Sequence, residues 1–203
     1  MKSIIFFLIL MSSVVFSQPY WHIVTIDSDG WEGYTCSLEL DSLNRPHIAY
    51  VRWYNPTGKD LKYAYYDGNS WIISVVVNSV DILEPSIALD TNDQPNISYQ
   101  DYGYLKYAKY NGTTWIFNTI EQYGRFTAIA VDSLNHPHIA YQETETDVFK
   151  YAHFNGSNWE IQTLDTQYAS GQGTNNSITT DSQNKPHISY RQDSVGGIAL
   201  SAF

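Results

Sequence analysis

Trp31, Trp53, Tyr54, Tyr123 and Arg125 stand in polar, turn-rich stretches with carboxylates and amides nearby in the chain. Exposed ring faces cover the apolar C–H patches of a sugar, while guanidinium, carboxylate and amide groups bond its hydroxyls. These residues are therefore the candidate ligand-binding set. The competing use of Trp31 and Trp53 is structural, as plugs of a central opening or anchors of their own loops. Glu143 with Glu145, and Asp29 with Glu32, have the pairing that glycoside hydrolysis uses. Solvated acids are nonetheless the ordinary finding in loops. His47, His138 and His187 recur behind prolines, but Asn96 holds that position in one copy. Asparagine bonds hydrogen well and transition metals poorly, so a hydrogen-bonding role is expected there. No nucleophile elbow, phosphate loop, zinc motif or calcium loop is present. No catalytic residue, metal ligand or cofactor is assigned. Cys36 is the single cysteine, which excludes an intrachain disulfide and suggests a small buried apolar residue.

The elements that position these residues come in copies. Segments 37–50, 86–99, 128–141 and 177–190 align without gaps on Asp41, Asp90, Asp132 and Asp181, each followed by a short turn, a proline and Ile-Ala-Tyr or Ile-Ser-Tyr. A period in the forties with several short strands is the signature of propeller blades. Each unit alternates every two residues: an A strand (Leu38 and Leu40; Ile87 and Leu89; Ile129 and Val131) and a B strand ending in tyrosine. A C strand follows, reading Leu-Lys-Tyr-Ala from Leu61 and Leu105 and Phe-Lys-Tyr-Ala from Phe149. Asp67-Gly68, Asn111-Gly112 and Asn155-Gly156 then turn the chain into a D strand opened by Trp71, Trp115 or Trp159. Residues shared by every copy serve the blade: the aspartates as Asx-type turn formers, the tryptophans as packing rings. The A–B and C–D turns lie on one face, and the variable B–C and D–A loops, with the candidate binding set, on the other.

The fold expected is all-β: a β-propeller of four blades, each of four antiparallel strands. Segment 198–203 reads as the last C strand. Segment 21–27 matches the D-strand pattern, so the N-terminal strand is expected to close the last blade. The alternative is a fragment of a propeller with more blades. Residues 1–17 have a signal-peptide layout, with Lys2 ahead of an unbroken apolar run, leaving 18–203 as a single domain. The chain is thus expected to be secreted, periplasmic or on the cell surface, with no membrane span after cleavage. A formal net charge of −10 excludes a phosphate-tracking nucleic-acid binder. A glycan or a cell-surface protein is the expected partner, and the oligomeric state stays open.

The repeat Leu-Asp-x-x-x-x-Pro-His-Ile-Ala-Tyr, Leu-Lys-Tyr-Ala, Gly-x-x-Trp resembles the repeats of secreted bacterial β-propellers, loosely similar to sialidase-like and fucose-lectin-like propellers. That resemblance covers nearly all of 18–203 and implies the fold more than an activity, since such propellers include hydrolases and lectins. A non-enzymatic binding role is the leading expectation, with a sialidase-like glycoside hydrolase as the alternative. Such an enzyme clamps a carboxylate with three arginines. Arg52, Arg125 and Arg191 fall on the loop face, whereas Arg45 lies in a turn. The segment 66–71 sits where a sialidase Asp-box would, but its aspartate abuts the glycine and the leading serine is missing.

Overall fold

The structure, a computed structural model, describes residues 23–28, 33, 35–54, 58–166, 176–192 and 197–202. Among them there is no helix, and fifteen strands form four antiparallel sheets in chain order. The first blade is β1 (Cys36–Leu40), β2 (Pro46–Tyr54), β3 (Gly58–Tyr66) and β4 (Trp71–Ser79). The second is β5 (Ile82–Leu89), β6 (Pro95–Asp101), β7 (Tyr104–Tyr110) and β8 (Trp115–Gln122). The third is β9 (Gly124–Val131), β10 (Pro137–Glu143), β11 (Val148–Phe154) and β12 (Trp159–Asp165). The fourth is β13 (Ser177–Thr180), β14 (Pro186–Gln192) and β15 (Gly197–Ala202). The inner strands β1, β5, β9 and β13 stand side by side. Their small residues let neighbours close in: Ser37 Oγ accepts the Ile87 amide at 3.1 Å, and Ser86 Oγ accepts that of Ile129 at 3.2 Å.

The turn chemistry follows from the aspartates as the sequence predicts. Asp41 Oδ1 accepts the amides of Leu43 and Arg45 at 2.9 and 2.7 Å. Asp90, Asp132 and Asp181 repeat the pattern. The fourth turn residue takes the left-handed conformation each time, at Asn44, Asp93, Asn135 and Asn184, where a short polar side chain is best tolerated. Burial alone would raise the Asp41 carboxyl, but the Arg45 and Leu43 amides and the Arg45 guanidinium outweigh it and bring it to about 2. The turns also link blades. Ser42 donates from N and Oγ to Asp93, Thr91 to Asn135 and Ser133 to Asn184. Apolar clusters fill the space between sheets, centred on Ile97 and Tyr99, on Ile139 and Tyr141, and on Phe149 and Ile188.

Two expectations need correction, the N-terminal strand and the buried Cys36, and the first blade departs from the others in burial. Residues 23–28 form no strand, Trp21 and His22 lie outside the described residues, and the fourth sheet has three strands among them. Leu38 and Leu40 are 57% and 49% exposed, whereas their counterparts Ile87 and Ile129 are 4% and 6% exposed. Alternation assigns these leucines to one face. Burial requires a preceding sheet against that face, and no described sheet covers it. Cys36, on the same strand, is exposed rather than buried. The described blades therefore form an arc whose closure into a ring is not seen. No described helix is long and apolar enough to cross a membrane.

Candidate binding clefts between the blades

The expected ligand-binding residues divide into two groups, and Trp31 lies outside the described residues, as do Asp29 and Glu32. On the first blade, Arg52 pairs with Asp60 at 2.5 Å and lies over the Tyr54 ring. Tyr54 donates to Asp60 at 2.8 Å, and the Lys59 ammonium is 5.9 Å from the Trp53 ring centre. At the second-to-third junction, Tyr123 is 37% exposed in the turn between β8 and β9, and its carbonyl accepts the Thr144 amide at 2.9 Å. Arg125 lies 3.5 Å from Glu84 and over Phe126. Glu143 accepts the Glu145 amide at 2.5 Å and the Thr146 hydroxyl, so it caps its own loop rather than facing Glu145 as a paired acid.

The recurring histidines have a structural explanation. His47 Nδ1 lies 2.6 Å from Tyr63 Oη, and His138 Nδ1 lies 2.5 Å from Tyr151 Oη. In the second blade Tyr107 donates to Asn96 Oδ1. Asparagine therefore does in the second blade what histidine does in the first and third, whereas His187, whose blade has Leu200 in place of that tyrosine, lies 3.2 Å from Asp181 Oδ2. Burial lowers the pKa of both His47 and His138, opposed by Asp41 and Asp132 respectively.

The tryptophans that open the D strands pack as expected, but they also border clefts. Trp115 meets Tyr63 of the preceding blade edge-on at 5.6 Å, and Trp159 meets Tyr107 at 5.2 Å. Beside the first contact, on the turn side, lies a cavity of about 560 Å³ whose lining includes Tyr65, Tyr110, Trp115, Arg45, His47 and Asp93. Tyr65 stacks on Tyr63 at 5.6 Å, and Tyr110 leans on Trp115 at 5.4 Å. Aromatic faces and hydrogen-bonding groups of both kinds thus converge in one hollow. The counterpart between the second and third blades holds about 180 Å³ and is lined by Lys109, Phe154 and Trp159 among others. Sequence reasoning missed these clefts by assigning every repeated residue to the scaffold. The signal was available: Tyr65 stands where the next copy has Lys109, and Asp93 where the third has Asn135.

No family model matches the chain, and no curated protein matches it significantly. Solved structures do match. A Hadza microbial sialidase has 11% identity and a TM-score of 0.58, covering 83% of this chain and 43% of its own. The endo-arabinase of Bacteroides thetaiotaomicron has 10% identity and a TM-score of 0.52, covering 87% of this chain and 78% of its own. A fucose lectin from Kordia zhangzhouensis has 16% identity and a TM-score of 0.46, covering 64% of this chain and 99% of its own. The blade architecture is that of β-propellers, and likenesses at such identities bear on the fold alone.

Proposed function

We propose that this chain is a carbohydrate-binding propeller with no catalytic role, whose ligand lies in the cleft between the first and second blades. The observation that carries the reading is the cavity of about 560 Å³ lined together by Tyr65, Tyr110, Trp115, Arg45 and Asp93, the last two also held by Asp41 and Ser42 respectively. A pyranose needs that combination of a flat apolar surface and directional polar groups. The sialidase-like alternative has less support, because Arg52, paired with Asp60 within the first blade, and Arg125, 3.5 Å from Glu84 at the second-to-third junction, belong to different blades. A second reading keeps the ligand on the loop face at Trp53, Tyr54, Tyr123 and Arg125, favoured by the exposed ring of Tyr123. Glycan-array binding of Tyr65→Ala and Trp53→Ala tests the choice. The cleft reading expects loss in the first variant alone; loss in the second alone overturns it in favour of the loop face. Turnover of chromogenic glycosides would contradict the non-catalytic part.

In the same reading residues 1–17 direct export, and the exposed Leu38–Leu40 face is covered when the arc closes on its own fourth blade. Asn44 and Ser182 support this closure. They are the acceptor and donor positions left over, among the described residues, by the turn bonds that join the other blades. With Cys36 replaced by serine, Asn44→Cys and Ser182→Cys would cross-link within one chain if the ring closes. Cross-linking only between chains would contradict closure.

A further inference from the structure

The repeat contains a second kind of junction contact, in which a carboxylate at the end of one D strand engages the next blade. Glu121 accepts from Tyr141 Oη and, at 2.7 Å, from Lys150 Nζ. Asp165 accepts from Tyr190 Oη at 3.1 Å. Asp27 accepts from Tyr50 Oη at 2.7 Å and from Lys62 Nζ, although 23–28 form no strand. The register fixes the equivalent position on β4: Leu61 faces Val77 as Leu105 faces Glu121 and Phe149 faces Asp165. Between the first and second blades the acid is therefore a valine.

That replacement leaves an unfilled seat. Tyr99, the counterpart of Tyr50, Tyr141 and Tyr190, is 1% exposed and its hydroxyl has no hydrogen-bond partner among the described residues. A cavity of about 320 Å³ opens there, lined by Val77, Tyr99, Lys106, Phe117, Asn118 and Thr119. That hydroxyl opens onto the cavity, and burial of the residue followed by the nearby Asp101 charge raises the Tyr99 pKa, so it stays a donor. Lys106 bonds Asp101 at 2.8 Å, and the other Asp101 oxygen accepts from Ser79 at 2.5 Å. An ammonium has three donors, so Lys106 retains capacity for a second acceptor. The ring of Phe117 adds an apolar wall.

We propose that this seat binds the carboxylate of an acidic sugar, which supplies to Tyr99 and Lys106 what Glu121 supplies to Tyr141 and Lys150. The inference rests on the carbohydrate-binding reading and names a substrate class for it, hexuronic acids, at a site separate from the turn-side cleft. Glucuronate, glucose and acetate would be titrated by calorimetry against the full chain and the variants Tyr99→Phe, Val77→Glu and Tyr65→Ala. Glucuronate is expected to bind about tenfold or more tighter than glucose. Tyr99→Phe and Val77→Glu remove that preference, and Val77→Glu, which fills the seat from within, also raises Tm. Tyr65→Ala leaves the preference intact. Equal binding of glucose and glucuronate, no binding of glucuronate, or a preference untouched by Tyr99→Phe and Val77→Glu overturns the seat. In each of these cases neutral-glycan binding lost in Tyr65→Ala would keep the parent reading. Acetate binding lost in both seat variants, with no sugar bound, would keep a carboxylate seat and overturn the acidic-sugar assignment.

Discussion

Between the first and second blades the turn-side cleft holds about 560 Å³, and Val77 leaves Tyr99 without a carboxylate. Between the second and third blades the same cleft holds about 180 Å³, and Glu121 engages Tyr141 and Lys150. The backbone register is shared by the two junctions, so the difference is made by a few side chains on a common frame. On the proposed carbohydrate-binding reading, a ligand uses the junction where one copy departs from the rest at a position the others use for cohesion. The same substitution that opens a hollow removes a contact between blades, so affinity and stability should trade against each other at this junction.

The largest effect should come from making the closed junction resemble the open one. Glu121→Val strands Tyr141 Oη and Lys150 Nζ in a partly buried setting. It should cost about 2–3 kcal/mol in urea unfolding, reduced because Glu121 and Lys150 keep some solvent contact. A cost near zero would mean that the carboxylates do not hold neighbouring blades and that the comparison fails. Next comes Asp41→Asn, which weakens a turn at the edge of the large cleft. Because the folded Asp41 carboxyl sits at about 2, below its ordinary value of 3.8, its contribution is full above pH 4 and fades as pH falls towards 2. Urea unfolding of the wild type should lose stability over that window, and Asp41→Asn should flatten the loss; an unchanged slope would assign acid lability elsewhere.

The smallest effect separates whole blades by their histidines. Burial lowers the pKa of His47 in the first blade and of His138 and His153 in the third, where these last two rings stack at 4.7 Å. The unfolded chain then takes up protons first, so their stabilising effect is present above about pH 6.5 and is lost as pH falls below it. The second blade carries Asn96 at that position, which does not titrate. Between pH 7 and pH 5, Tm should drop by ~2–4 °C. Hydrogen exchange should quicken in the first and third blades and little in the second; uniform quickening would contradict the assignment. His153→Gln should reduce the effect in the third blade by removing one of two stacked bases.

The repeat made most of the fold legible. Asp41, Asp90, Asp132 and Asp181 announce their turns because a short carboxylate before a left-handed residue has few other uses, and the Gly68, Gly112 and Gly156 hairpins take the positive φ their sequences require. What alternation could not say is whether a face is covered. Leu38 and Ile87 look equivalent in sequence and differ in the structure because only the second has a preceding sheet against it. The N-terminal segment matches the D-strand pattern in sequence without forming that strand among the described residues. Asp27 reaches Tyr50 and Lys62 as a D-strand acid should, yet 23–28 pair with no strand among the described residues. The clefts were hidden because repetition was taken to mean scaffold, whereas Trp115 both packs on Tyr63 and lines a cavity.

Residue-resolved NMR of the full chain, titrated with a glycan selected on an array, tests the central claim most directly. The account predicts that the largest shifts cluster at Arg45, Tyr65, Tyr110 and Trp115. Shifts centred instead on Trp53, Tyr123 and Arg125 would contradict it.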